Sequence, residues 1–241
     1  MKKKFLTVCL MLIMFSIISI NIFERHKEEL DSGTSTQVIA SAIGIKDNDD
    51  HNNDVSDLKK AYNNDEVVGV LRIMNTDMKI PITQGKDNDK YLSTDAYGNY
   101  DKKGNPFLDY RVDINTSDKL LIYGHNSTKY VAPFKTLENY YDKDYYDTHQ
   151  YIELVTDTNV FRYKIFSVYV EPEDWSYMKL EYKDDISRFK ELEKYKSKSM
   201  YDTGTEVDPN DDILILQTCS YKKEYSKYSK KYLLVISRRV K

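Results

Sequence analysis

Asp212-Ile213-Leu214-Ile215-Leu216-Gln217-Thr218-Cys219-Ser220-Tyr221 is the stretch from which the fold can be read. Ile213 to Leu216 are continuously apolar, too few for a helix and rich in strand formers, so they predict a strand buried on both faces. Cys219 follows just past the apolar run. A thiol at the mouth of a buried strand is held by a rigid element yet can meet solvent, the placement expected of a reacting group. The same residue also reads as a small core hydrophobe, and the strand by itself does not separate the two.

Working outward, residues 183–198 carry Ile186, Phe189, Leu192 and Tyr195 at helical spacing. They predict an amphipathic helix whose apolar side lies on the sheet. The connection 199–211 is expected to border the substrate groove, and 232–240 forms the last strand. Upstream, 151–155 and 160–170 predict a hairpin around Asp157-Thr158-Asn159. Residues 132–146 have helical spacing in part. Lys119 to Tyr123 is a second buried strand, ending at Gly124-His125-Asn126, so His125 occupies the same kind of position as Cys219. Short strands are also expected over 66–73, 79–85 and 107–110, with Pro81 at an edge or strand end. A short helix starts at Ser56, a candidate N-cap.

Composition agrees with a β-rich fold. The 241 residues are 40% hydrophobic, enough for one sizeable core, and include 22 tyrosines, which pack well on a pleated surface. Five basic residues against Glu24 give the first 27 residues a charge of +4, leaving −7 for the rest of a chain whose net charge is −3. Lysines and acids alternate through the body without a basic stripe, which excludes a nucleic-acid partner.

Residues 1–4 hold three lysines and precede an uncharged run, 5–23, long enough to span a bilayer. Positive charge keeps the short side cytoplasmic, so the body is expected outside the plasma membrane on a single-pass anchor. The alternative, a cleaved signal peptide, lacks a small-residue cleavage site. Residues 24–55, rich in Asp, Asn, Ser and Thr, read as an extracellular tether, and 56–241 as the folded domain. Cys9 falls inside the span, which leaves Cys219 alone in the exported body. Exported proteins pair their cysteines or avoid them, so a lone thiol there points to reactivity. No cofactor is expected, and no metal site, because His26 and His51 lie in the tether and His149 at a strand start.

Ile122-Tyr123-Gly124-His125-Asn126 and Leu216-Gln217-Thr218-Cys219, in that order with a helix before the Cys strand, resemble the His and Leu-x-Thr-Cys motifs of the sortases. The segments 66–73, 80–92, 104–111 and 165–168 resemble class B in particular, and the likeness covers about 57–241. It implies an eight-stranded β-barrel with flanking helices, one of them inserted before the Cys strand, in addition to the transmembrane helix. The implied activity cuts the carboxy-terminal sorting signal of a surface protein, a Leu-Pro-x-Thr-Gly-like sequence, after Thr. The acyl group is held as a thioester and passed to an amine of peptidoglycan or its lipid-linked precursor. Cys219 would be the nucleophile, His125 the general acid and base, and Thr218, Ser220, Tyr221 and Tyr232 substrate contacts. The chain departs from the family in one respect: the arginine expected at the start of the strand after the Cys loop is Tyr232, preceded by Lys230 and Lys231. Lys231 is the expected replacement, a point charge in place of a bidentate fork. A cysteine hydrolase using water, or a noncatalytic wall-binding module of the same fold, fits the same residues.

Overall fold

A computed structural model describes residues 54–240. The expected cytoplasmic tail, membrane anchor and nearly all of the tether lie outside the described residues, among which no helix is long and apolar enough to cross a membrane.

The chain runs α1 (Asp54–Tyr62), β1 (Val67–Ile73), β2 (Lys79–Thr83), β3 (Phe107–Leu108), β4 (Lys119–Tyr123), α2 (Lys143–Thr148), β5 (Tyr151–Val155), β6 (Val160–Glu171), α3 (Asp185–Ser197), β7 (Ile213–Cys219) and β8 (Tyr232–Arg239), with short 3-10 turns at Lys90–Leu92, Lys135–Tyr141, Trp175–Met178 and Lys223–Tyr225. The eight strands close into a barrel in the order β1-β2-β3-β4-β7-β8-β6-β5, β5 returning to β1. Closure leaves no long open edge for another chain to pair with. Pro81 sits in β2, which meets β3 only at Thr83–Phe107, so the far side of Pro81 pairs with no strand. Ser56 lies within α1 instead of capping it.

Strand alternation separates two cores. Leu71, Ile82, Leu108, Ile122, Leu154, Ile165, Leu216 and Val235 belong to a cluster to which all eight strands contribute, which makes it the barrel interior. The residues of opposite parity on β4, β7 and β8, including Leu121, Tyr123, Ile215 and Leu234, form a second layer on the outer face under α3 and the Trp175–Met178 turn. A buried carboxylate, Asp109, ties this outer layer together: it accepts from both Arg111 Nε and Nη2 and from the Tyr123 hydroxyl. Burial alone would raise its pKa, but Arg111 outweighs that and holds it down to about 2.

The inserted helix packs differently from the expectation. Leu192 and Tyr195 are buried, but Ile186 is 68% and Phe189 40% exposed. Contact with the barrel is confined to the second half, where Ser167 Oγ donates to the Tyr195 carbonyl, while the first half is fastened by Arg188 to Asp118 and the Asp211 carbonyl. The connection 199–211 does not approach Cys219. It runs along β6, bonding in turn to Val168, Phe166 and Ile165, and reaches β7 at the opposite end of the strand.

Candidate active site

Parallel pairing of β4 and β7 brings the two predicted reacting groups together. Tyr123 is opposite Gln217, so His125 and Cys219 each lie two residues further along neighbouring strands. Their parity is also shared: Ile122 and Leu216 point into the barrel, so Tyr123, Gln217, His125 and Cys219 all belong to the outer face. Cys219 is in turn directly opposite Tyr232 on β8. The thiol therefore stands at the barrel mouth between an imidazole on one flank and a phenol on the other.

Three hydrogen bonds lock the His125 turn to the Cys219 strand, and a fourth ties it to Glu138. Gly124 N–H donates to the Gln217 carbonyl (3.1 Å), and Thr218 Oγ1 donates to the Gly124 carbonyl (2.7 Å). Asn126 Nδ2 donates to the Cys219 carbonyl (2.9 Å) and to Glu138 Oε1 (2.8 Å). Both of those partners can only accept, which fixes the amide's orientation and leaves Asn126 Oδ1 buried without a partner. Phe134 N–H closes the turn from behind by donating to the His125 carbonyl (3.0 Å).

The imidazole is also oriented. His125 Nε2 is 2.8 Å from the Leu92 carbonyl oxygen, which can only accept, so Nε2 carries a hydrogen and Nδ1 is the basic nitrogen of the neutral ring. Cys219 is half-buried. Burial pushes its thiol above the ordinary range, and the nearby charge of Lys231 offsets part of that rise.

The remaining predicted residues divide by face. Thr218 and Ser220 are 1% and 2% exposed; Thr218 is spent on the Gly124 carbonyl and Ser220 Oγ on the Tyr141 hydroxyl. They hold the site together, and a peptide on the outer face cannot reach their side chains. Tyr221 is exposed, with its hydroxyl on the Asn126 carbonyl. Tyr232 is half-buried against the edge of Trp175, ring centroids 5.3 Å apart. Lys231 follows the inward parity, opposite Ser220, and its ammonium donates to the Tyr228 carbonyl (3.1 Å). Arg238 and Arg239 lie at the far end of β8, on Asp211 and Asp212.

Sequence reasoning missed the Asn126–Glu138 clamp and the outer wall. That wall is the Trp175–Met178 turn: Trp175 packs on Tyr232, and the Tyr177 hydroxyl donates to Gln217 Oε1 (2.7 Å). The one available signal was a lone tryptophan in a polar segment. Among the described residues no group of His, Cys, Asp and Glu is placed to hold a metal ion.

A family model described as Sortase domain matches residues 71–239. Sortase B of Listeria monocytogenes is 30% identical over 212 residues, 87% of this chain and 85% of that protein. Sortase B of Staphylococcus aureus is 28% identical over 173 residues, 71% of this chain and 70% of that protein. A crystal structure of Staphylococcus aureus sortase B superposes with a TM-score of 0.68 at 26% identity, covering 77% of this chain and 86% of that one.

Proposed function

Because this chain belongs to the sortase family, and within it to class B, we propose that its cysteine transpeptidase chemistry runs on Cys219 and His125 and is directed at the sorting signals of surface proteins. The thiol proton passes to His125 as Sγ attacks the scissile carbonyl carbon. The carbonyl electron pair moves onto oxygen and returns as the C–N bond breaks, and the departing amine takes the proton from the imidazole. What remains is a thioester and a neutral ring. An incoming amine then gives a proton to His125, attacks the thioester and releases the thiol. Burial disfavours the thiolate, so a base beside the thiol assists its attack.

The observation that carries the reading is the double clamp of the Cys219 segment onto the His125 turn. Thr218 holds Gly124 and Asn126 holds Cys219, so the nucleophile and its base share one rigid frame. Lys231 adds a positive charge that favours the thiolate. On the substrate side, Tyr221 and Tyr232 present aromatic surface beside the thiol. The signal is a Leu-Pro-x-Thr-Gly-like sequence cut after Thr, and the acceptor is an amine of peptidoglycan or its lipid-linked precursor. Residues 5–23 anchor the enzyme in the plasma membrane, amino end inside and residues 56–241 on the wall side.

The test is a library of sorting-signal peptides incubated with the enzyme over a range of added amine. A transpeptidase converts a rising share of product from free acid to amide. Product that stays free acid at every amine concentration makes the chain a hydrolase, and cleavage of no peptide makes it a binding module.

A further inference from the structure

Most of the donors around Cys219 that could stabilise a negative oxygen are committed elsewhere. The peptide N–H next to the thiol, that of Ser220, donates to the Lys231 carbonyl (3.0 Å). His125 Nε2 is turned to Leu92, Asn126 Nδ2 to Glu138 and the Cys219 carbonyl, and Thr218 Oγ1 to Gly124. Lys231 is directed at Tyr228 from a position of inward parity. Two side chains of the outer face keep a free donor among the described residues, the Gln217 amide, whose Oε1 is held by Tyr177, and the Tyr232 hydroxyl, and of these only Tyr232 stands directly opposite Cys219.

Its position suits the task. Ser220 and Lys231 are opposite each other and hydrogen-bonded, so the neighbouring pair Cys219–Tyr232 is a non-hydrogen-bonded one, in which facing side chains stand closest, with Cβ atoms roughly 4.5–5.5 Å apart. Trp175 packs edge-on against the Tyr232 ring at 67° and restricts its swing. We propose that the Tyr232 hydroxyl is a catalytic hydrogen-bond donor to the oxyanion formed when Cys219 attacks the scissile carbonyl. The inference rests on the thiol attack proposed above. The phenol donates a hydrogen bond and keeps its proton: the S–C bond forms, the carbonyl pair goes to oxygen, and that oxygen is met by the hydroxyl until the C–N bond breaks. Burial, together with the nearby thiol, raises the phenol's pKa, so it stays a donor throughout the working range.

The experiment compares full-length enzyme with Tyr232→Phe and Tyr232→Arg, reading acylation by a sorting-signal peptide alongside alkylation of Cys219 by iodoacetamide, a substitution with no oxyanion. Tyr232→Phe should lose roughly 10²-fold in kcat for acylation with KM nearly unchanged and alkylation at the wild-type rate. Tyr232→Arg, which restores a donor, should recover much of the loss. Acylation by Tyr232→Phe at the wild-type rate overturns the proposal, as does a parallel loss of acylation and alkylation, which assigns Tyr232 to thiol ionisation or packing. Wild-type enzyme that forms no thioester with any peptide overturns the transpeptidase reading itself, an outcome distinct from either.

Discussion

Gly124 is the most sensitive point in the site, and Gly124→Ala is the perturbation to make. A Cβ built there would stand 2.5 Å from Phe134 Cδ2, 2.6 Å from Cγ and 3.0 Å from Cε2. Ordinary carbon contacts are about 3.5–4.0 Å, so about 1 Å of movement has to be found. Phe134 is fully buried in the barrel core, and Gly124 is pinned on one side by Gln217 and Thr218. Because Phe134 N–H also holds the His125 carbonyl, the ring cannot retreat without disturbing the turn that carries the base. Overpacking of this kind costs about 1–3 kcal/mol, or roughly 2–12 °C in Tm for a domain of this size. A displacement of about 1 Å at His125 costs on the order of 10²-fold in rate. The assays are thermal unfolding and kcat for thioester formation at saturating peptide. Phe134→Leu in the same chain should return part of both losses, a coupling of at least about 0.5 kcal/mol between neighbours. Wild-type kcat and Tm in Gly124→Ala would refute the idea that this contact holds His125 in place.

Three other perturbations follow from the same geometry. Asn126→Asp sets an acceptor against the Glu138 carboxylate and the Cys219 carbonyl in a buried position, and denaturant titration should read a loss of roughly 2–4 kcal/mol with a parallel fall in cleavage; an unchanged midpoint would remove the clamp from the account. Lys231→Ala should move the pH midpoint of Cys219 alkylation upward, since the lysine charge now lowers it, and a midpoint that stays or falls would show that Lys231 does not act on the thiol. Lys119, buried under α3 with Nζ on the Lys179 carbonyl and the Tyr182 and Tyr195 hydroxyls, has its pKa lowered by burial to about 7 from 10.5. The folded state then binds fewer protons than the unfolded state between those values, so stability should rise with pH across that window. Lys119→Met should flatten the rise, and an equal slope in both proteins would contradict the assignment.

Much of this was legible from the chain because strand signals here are local. Ile213 to Leu216 and Leu120 to Tyr123 are short runs of strand-forming residues without a charge, and both prove to lie in buried barrel strands. Cys219 and His125 were found because each follows such a run. Spatial relations between distant segments were not legible. Helical spacing marks Ile186 and Phe189 as candidates for burial but cannot say that α3 meets the barrel only along its second half. The wall beside the thiol is the Trp175–Met178 turn and not 199–211, because Gln217 and Tyr232 anchor that turn through side chains far from it in sequence. Thr218 and Ser220 looked like substrate contacts from their nearness to Cys219 in sequence; alternation turns both inward, where they bond to Gly124 and Tyr141.

The central claim, that Cys219 forms the acyl-enzyme with His125 as its proton carrier, is tested most directly by intact-mass analysis of enzyme quenched in acid shortly after mixing with a sorting-signal peptide. The account predicts an added mass equal to the acyl fragment ending in Thr, located on Cys219, released by hydroxylamine, absent in Cys219→Ala and formed at least about 10²-fold more slowly in His125→Ala. Peptide cleavage by Cys219→Ala, or an adduct that forms at the wild-type rate in His125→Ala, would contradict it.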